Sequence, residues 1–250
     1  PQLAQSWTFS SDAKSLRFVL RDNVRFHQTP YFTPTRTLNA DDVMFTFERM
    51  TNPQHVFNKA FPASFIYPQS LGLAAQISSI KKIDQRTVDF ELKTANAAFL
   101  SYFAMAFSAI HSAEYAQQLL LKKRAADINN YPIGTGPYRF RSYKKDDVIR
   151  MEANPDYWRG PQITQKLIYS ISREPNVRVQ KLRLGECNIT APIRDVDITV
   201  LDGNPRVKVA KIQALNISYL SFNLRKAPTN NRLVREALDI AVDRDALFRV

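Results

Sequence analysis

Gly134 and Gly136 flank one threonine in the segment PIGTGPYRF (132–140), and they are two of only six glycines in 250 residues. A glycine pair can let backbone amides close around a phosphate, or it can turn a chain between two packed units. The phosphate reading needs a G-x-G-x-x-G or G-x-x-x-x-G-K-S/T spacing ahead of a helix N-terminus. Here Pro137 removes a backbone donor directly after Gly136, and the following YRFRSY alternates as a strand. A structural turn is therefore expected of Gly134, Gly136 and Pro137, with the glycines supplying a positive φ or a close backbone approach.

The other residues that could do chemistry fail the same kind of test. Asp41 and Asp42 are adjacent, so on a helix they point in different directions, and helix capping explains them better than paired acid–base work. His27, His55 and His111 lie far apart, with no pattern of acidic ligands around them. Neither G-x-S-x-G nor H-E-x-x-H occurs. Cys187 is the one cysteine, and it is either a small buried hydrophobe or half of a disulfide with a partner elsewhere. The run RFRSYKK (139–145) could stack bases and hold phosphates, but alternation that turns Phe140 to the core and the arginines to solvent accounts for it. No catalytic residue, metal or cofactor is expected, and nucleic acid is an unfavoured partner.

The elements that must position these residues are strands and helices in alternation. SLRFVLR (15–21) puts Leu16, Phe18 and Leu20 on one face of a strand, and DNVRFH (22–27) reads as a second. Asn39 caps a helix over LNADDVMFTFERM (38–50), with Val43, Phe47 and Met50 on one side and the acids in the first turn. IKKIDQRTVDFELK (80–93) is a hairpin. AAFLSYFAMAFSAI (97–110) reads as a buried helix, and Ser112 caps the next one, which ends in Lys122-Lys123-Arg124. Beyond the glycine turn, residues 138–154 form two strands, KLIYSIS (166–172) a buried strand, and 176–186 a helix closed by Gly185. VKVAKI (207–212) and YLSFNL (219–224) read as strands, NRLVREALDIAV (231–242) as an amphipathic helix with Leu233, Ala237, Leu238 and Ala241 on one stripe, and Asp243 or Asp245 as the cap of a final turn. This alternation predicts an α/β arrangement.

Composition sets the outer bounds. A hydrophobic content of 44% with 16 Phe and 10 Tyr excludes a disordered chain and supplies a sizeable core. No apolar run is long enough to span a bilayer. The net charge of +12 is dispersed, which favours anionic ligands or surfaces at long range. The chain opens on PQLAQSW and closes on DRDALFRV, and both ends read as cut, so an internal piece of a longer protein is expected.

Taken in order, PQLAQSW, FVLRDNVRFH, LNADDVMFTFERM, PIGTGPYRF, NPDYWRG, LRLGECNI, YLSFNL and VREALDIAVDRDAL form a series that resembles the large solute-binding proteins of peptide-type ABC transporters, the dipeptide- and oligopeptide-binding family. The resemblance covers nearly the whole chain, and it is nearest to the branch linked to antimicrobial peptide resistance. It implies a bilobed α/β periplasmic-binding-protein fold of type II, in the large peptide-binding class and incomplete in this fragment. Residues 1–133 would be the peripheral subdomain of lobe I, 134–220 part of its central subdomain, and 221–250 the start of lobe II. The implied work is capture of a peptide between two lobes in the periplasm of a Gram-negative bacterium, by a monomer that delivers it to an inner-membrane permease. Haem, glutathione or another anionic solute is the alternative ligand.

The resemblance also implies site residues. The segment PASFIYP (62–68) matches the place where dipeptide binders contribute a tyrosine ring; here the ring is Phe65, without the hydroxyl, and Tyr67 follows it. The acidic residue and the arginine that hold peptide termini in dipeptide binders fall after residue 250. Ser221, Phe222 and Asn223 would mark the crossing between lobes. Cys187 would pair with a cysteine outside this chain, as the periplasm permits.

Overall fold

A computed structural model describes residues 2–212 and 219–248. Its chain divides into two compact units, Pro1–Glu174 and Pro175–Val250.

The first unit is built on β1 (Ala4–Phe9) and β2 (Ser15–Leu20), followed by α1 (Ala40–Thr51), α2 (Val56–Ala60), α3 (Ile66–Ser70), α4 (Leu73–Gln76), β3 (Ile77–Lys82) and β4 (Thr87–Leu92). The four strands form an antiparallel sheet in the order β1-β2-β4-β3. Leu16 lies opposite Phe90, and Phe18 opposite Val88; all four side chains are buried, so one face of the sheet is continuous core. On the other face Arg17 grips Asp89 through two hydrogen bonds of 2.7 and 2.6 Å. The segment 22–27, expected as a strand, makes only a single bridge, Arg25 to Thr37. Asn23 takes φ +57, which breaks an extended run.

α1 forms as its sequence demands. The Asn39 side chain accepts from Asp41 N–H while Asp42 reaches back to Asn39 N–H, a capping box. Phe47 then packs edge-on to Phe90, with ring centroids 5.0 Å apart. Asp42 is fully buried. It also pairs with Arg36 at 2.7 Å and accepts the N–H of Ala113 at 2.8 Å, so one carboxylate ties a loop and the starts of two helices together.

The apolar segment 97–110 does not make one helix. It gives a short α5 (Phe99–Tyr102), an extended Met105, and one 3₁₀ turn at Ala106–Ser108. The aromatic rings dictate the break. Phe103 packs against Phe18, Phe47, Phe90 and Phe99, at 4.6, 5.2, 4.9 and 5.4 Å, and the Ser108 hydroxyl donates to Tyr102 O. α6 (Ala113–Leu121) starts at Ser112, whose hydroxyl accepts from Tyr115 N–H. α7 (Asp127–Asn130) leads to the glycine turn.

The turn is held by His27. Its backbone N–H donates to Gly134 O at 2.8 Å, its Nδ1 accepts from Gly134 N–H at 3.3 Å, and its Nε2 donates to Gly136 O at 2.9 Å. Asn154 adds two bonds, to Gly136 O and Pro137 O. Neither Gly134 nor Gly136 has a positive φ. A Cβ on Gly134 would make ordinary contact with the His27 ring, 3.5 Å away, and one on Gly136 would meet nothing within 4 Å. The expected conformational reason for the glycines is therefore corrected: a buried histidine, not left-handed backbone, shapes this segment.

β5 (Tyr138–Lys144), β6 (Val148–Ala153) and β7 (Lys166–Ser170) follow as an antiparallel sheet in that order. β7, expected to be buried, is an edge strand with Ile168 and Tyr169 exposed. The second unit contains α8 (Pro175–Leu184), α9 (Asp195–Leu201), α10 (Arg232–Ala241) and α11 (Arg244–Phe248). Gly185 ends α8 with φ +77, Asn231 caps α10, and Asp243 accepts from Ala246 N–H at the start of α11. Among the unit's described residues only Val179 and Leu201 are buried apolar side chains, and the stripe of α10 is exposed at Leu233 and Leu238. Residues 207–212 and 219–224 form no strand, because no neighbouring segment among the described residues completes a ladder with them.

Candidate ligand-binding site

α1 presents Thr46, Arg49 and Met50 toward the 3₁₀ turn and the residues after it. Between them lies a cavity of about 180 Å³, closed by Phe65, Ala106, Phe107 and His111. Phe65, the ring expected to meet a ligand, stands just ahead of α3 and is half-buried. Tyr67 is 65% exposed and does not line the cavity, so the structure separates the two candidates.

Arg49 is a site residue that no sequence motif marks. It sits in the last turn of α1, where a basic side chain suits the helix dipole, yet it is only 5% exposed. Its guanidinium carbon lies 4.6 Å from the Phe57 ring centroid and 5.3 Å from that of Phe65. These cation–π contacts hold the charge partly in place of water. Its Nε is buried without a hydrogen-bond partner among the described residues, and no carboxylate there pairs with it. Burial lowers its pKa. Burial likewise pushes His111 down to about 4, with the Arg49 charge adding to the effect, and lowers His55 for the same two reasons. The sequence signal for Arg49 was its place among Thr46, Phe47 and Met50, inside the apolar face of its own helix.

A second hollow, of about 310 Å³, lies between residues 28–30 and the β5–β6 hairpin. Its two arginines are engaged: Arg139 and Arg141 both bind Glu152, at 2.5 and 3.0 Å. That ion pair is the structural account of RFRSYKK. Among the described residues no cluster of His, Cys, Asp and Glu is placed to hold a metal, and no helix is long and apolar enough to cross a membrane.

The remaining sequence-stated sites fall in the second unit. Cys187 is half-buried just after Gly185. Asn223 organises a turn, its side chain accepting from Arg225 N–H and its carbonyl from the Thr229 hydroxyl, with Ser221 exposed and Phe222 half-buried beside it.

The chain is 45% identical over 249 residues to Di/tripeptide-binding protein 1 of Pseudomonas aeruginosa, covering 99% of this chain and 46% of that protein. It is 36% identical to Heme-binding protein A of Haemophilus influenzae over 248 residues, which are 99% of this chain and 45% of that protein. It is also 36% identical to the peptide transport periplasmic protein SapA of Salmonella typhimurium over 249 residues, which are 100% of this chain and 45% of that protein. The solved dipeptide binding protein of Pseudoalteromonas sp. SM9913, in complex with Met-Leu, superposes with a TM-score of 0.96 at 36% identity, over 100% of this chain and 49% of that one. The chain thus spans about half the length of these relatives. Residues 1–250 match the family model of bacterial extracellular solute-binding proteins, family 5, middle region, and the chain belongs to that family.

Proposed function

We propose that this chain is part of the periplasmic solute-binding component of a bacterial ABC transporter for short peptides. It captures its ligand without catalysis, as a monomer, and hands it to an inner-membrane permease. The observation that carries the reading is the 45% identity to a di/tripeptide-binding protein along almost the entire chain. In this reading residues 1–133, 134–220 and 221–250 are the peripheral subdomain, the central subdomain and the start of the second lobe. Ser221, Phe222 and Asn223 lie at the crossing, and Phe65 packs on the ligand. Tyr67 is kept as a second contact, made by an exposed ring. Cys187 pairs with a cysteine outside this chain, and thiol titration of the denatured, unreduced protein should then find no free Cys187.

Isothermal titration of the intact protein with dipeptides, tripeptides and longer peptides tests the function. Binding of di- or tripeptides that weakens several-fold in Phe65→Ala supports it, and no binding by any peptide overturns it. Two narrower readings have their own support. The charge of +12 and the haem-binding relative favour an anionic solute such as haem, which would appear as a Soret shift on mixing. The likeness to SapA favours a role in antimicrobial peptide resistance, which peptide susceptibility of a deletion strain tests.

A further inference from the structure

Arg49 sets a problem that the peptide-binding reading does not solve. A guanidinium that is 5% exposed ordinarily has a carboxylate beside it. Here its side chain makes no ion pair or hydrogen bond with any described residue; its contacts are the faces of Phe57 and Phe65. The adjacent Glu48 makes no ion pair with it, and burial is the one influence on that carboxyl, with no contribution from the Arg49 charge. Thr46 is also occupied: its hydroxyl donates to Asp42 O at 2.7 Å and accepts from His111 N–H at 2.9 Å. This leaves two groups on the cavity wall with unused donor capacity, the Arg49 guanidinium with its orphaned Nε and the His111 ring, which makes no hydrogen bond to a described residue.

We propose that the cavity between Arg49, His111 and Phe65 is a subsite for a carboxylate. Its volume of about 180 Å³ holds a carboxylate and a few waters, each water taking about 30 Å³. The planar guanidinium fork matches two carboxylate oxygens, and the faces of Phe57 and Phe65 flank it. His111 reports on the site, because an anion on Arg49 offsets the charge that helps hold the imidazole neutral. The carboxylate comes from an acidic side chain of a bound peptide or from a free small acid. Only the first source rests on the peptide-binding reading.

The test uses the intact protein and two probes. In the first, acetate and chloride are titrated while the His111 ring is followed by NMR. Acetate is expected to shift the ring resonances and raise the His111 midpoint, with no response in Arg49→Met. Arg49→Lys, which keeps the charge without the fork, is expected to bind acetate roughly tenfold more weakly. It also covers the case in which the methionine variant does not fold, as judged by circular dichroism. Absence of an acetate response, a response to chloride alone, or undiminished binding in the variants overturns the proposal. The second probe is a matched peptide pair, Ala-Glu and Ala-Gln, measured by calorimetry. A preference of roughly tenfold or more for Ala-Glu that disappears in the Arg49 variants assigns the carboxylate to peptide side chains. Equal affinity with the acetate response intact assigns it to a free acid. Failure of both peptides to bind overturns the peptide side chain as the source of the carboxylate, and the acetate titration still decides the subsite.

Discussion

Asp42 and Arg49 lie seven residues apart on one helix and show two ways of burying a charge. Asp42 is fully buried and accepts from Arg36, from Asn39 N–H and from Ala113 N–H. A carboxylate so surrounded loses little by leaving water, whereas the donors around it lose much if it goes. Asp42→Ala is expected to destabilise the fold by about 2–4 kcal/mol, read from urea unfolding. The histidines set a second expectation. His27 and His111 both have folded pKa values below the ordinary 6.5, chiefly through burial, and that of His111 is about 4. At intermediate pH the unfolded chain therefore takes up more protons than the folded one. The stability that depends on neutral imidazoles is complete above pH 6.5 and declines as pH falls from there toward 4. Urea midpoints measured from pH 7.5 downward should show this decline, and His111→Gln should flatten it.

The hairpins and capped helices were readable because their signals are local. Asn39 with Asp42, Ser112 with Tyr115 N–H, and the 80–93 alternation each carry their own partner within a few residues. The misses have long-range causes. The segment 97–110 reads as one helix until Phe103 has four aromatic neighbours drawn from two strands and two helices, and β7 reads as buried until it is found at a sheet edge. The glycine turn is the sharpest case, because its organiser, His27, lies more than a hundred residues earlier in the chain. Two substitutions separate the local explanation from the distant one. Gly136→Ala places a Cβ in open space at a residue without positive φ, so it should change stability by less than about 1 kcal/mol. His27→Ala removes the two ring bonds to Gly134 and Gly136 and leaves a cavity where a buried ring stood, so it should cost about 2–4 kcal/mol. Thermal unfolding of both variants compares the two accounts directly. A large loss in Gly136→Ala would restore the conformational role first assigned to the glycines.

Across the 250 residues, the family was legible from eight ordered motifs, while the Arg49 cavity was not, because Arg49, Phe65 and His111 meet only once α1, α3 and the broken aromatic segment are folded together. Charge acts over a longer range than this cavity, and it leads to the last expectation. The +12 excess creates a positive field that attracts anionic ligands before any contact forms and repels cationic ones. Salt shortens the reach of that field from about 30 Å at 0.01 M to about 8 Å at physiological ionic strength. Close contacts inside a protein are screened far less. Under the peptide-binding proposal, stopped-flow association of an acidic dipeptide should therefore slow several-fold between these two salt concentrations, while that of a neutral dipeptide changes little. The dissociation rate should move less than the association rate in both cases, because steering alters encounter while close contacts govern escape. A salt response confined to dissociation would overturn the steering account, because a long-range field acts on encounter.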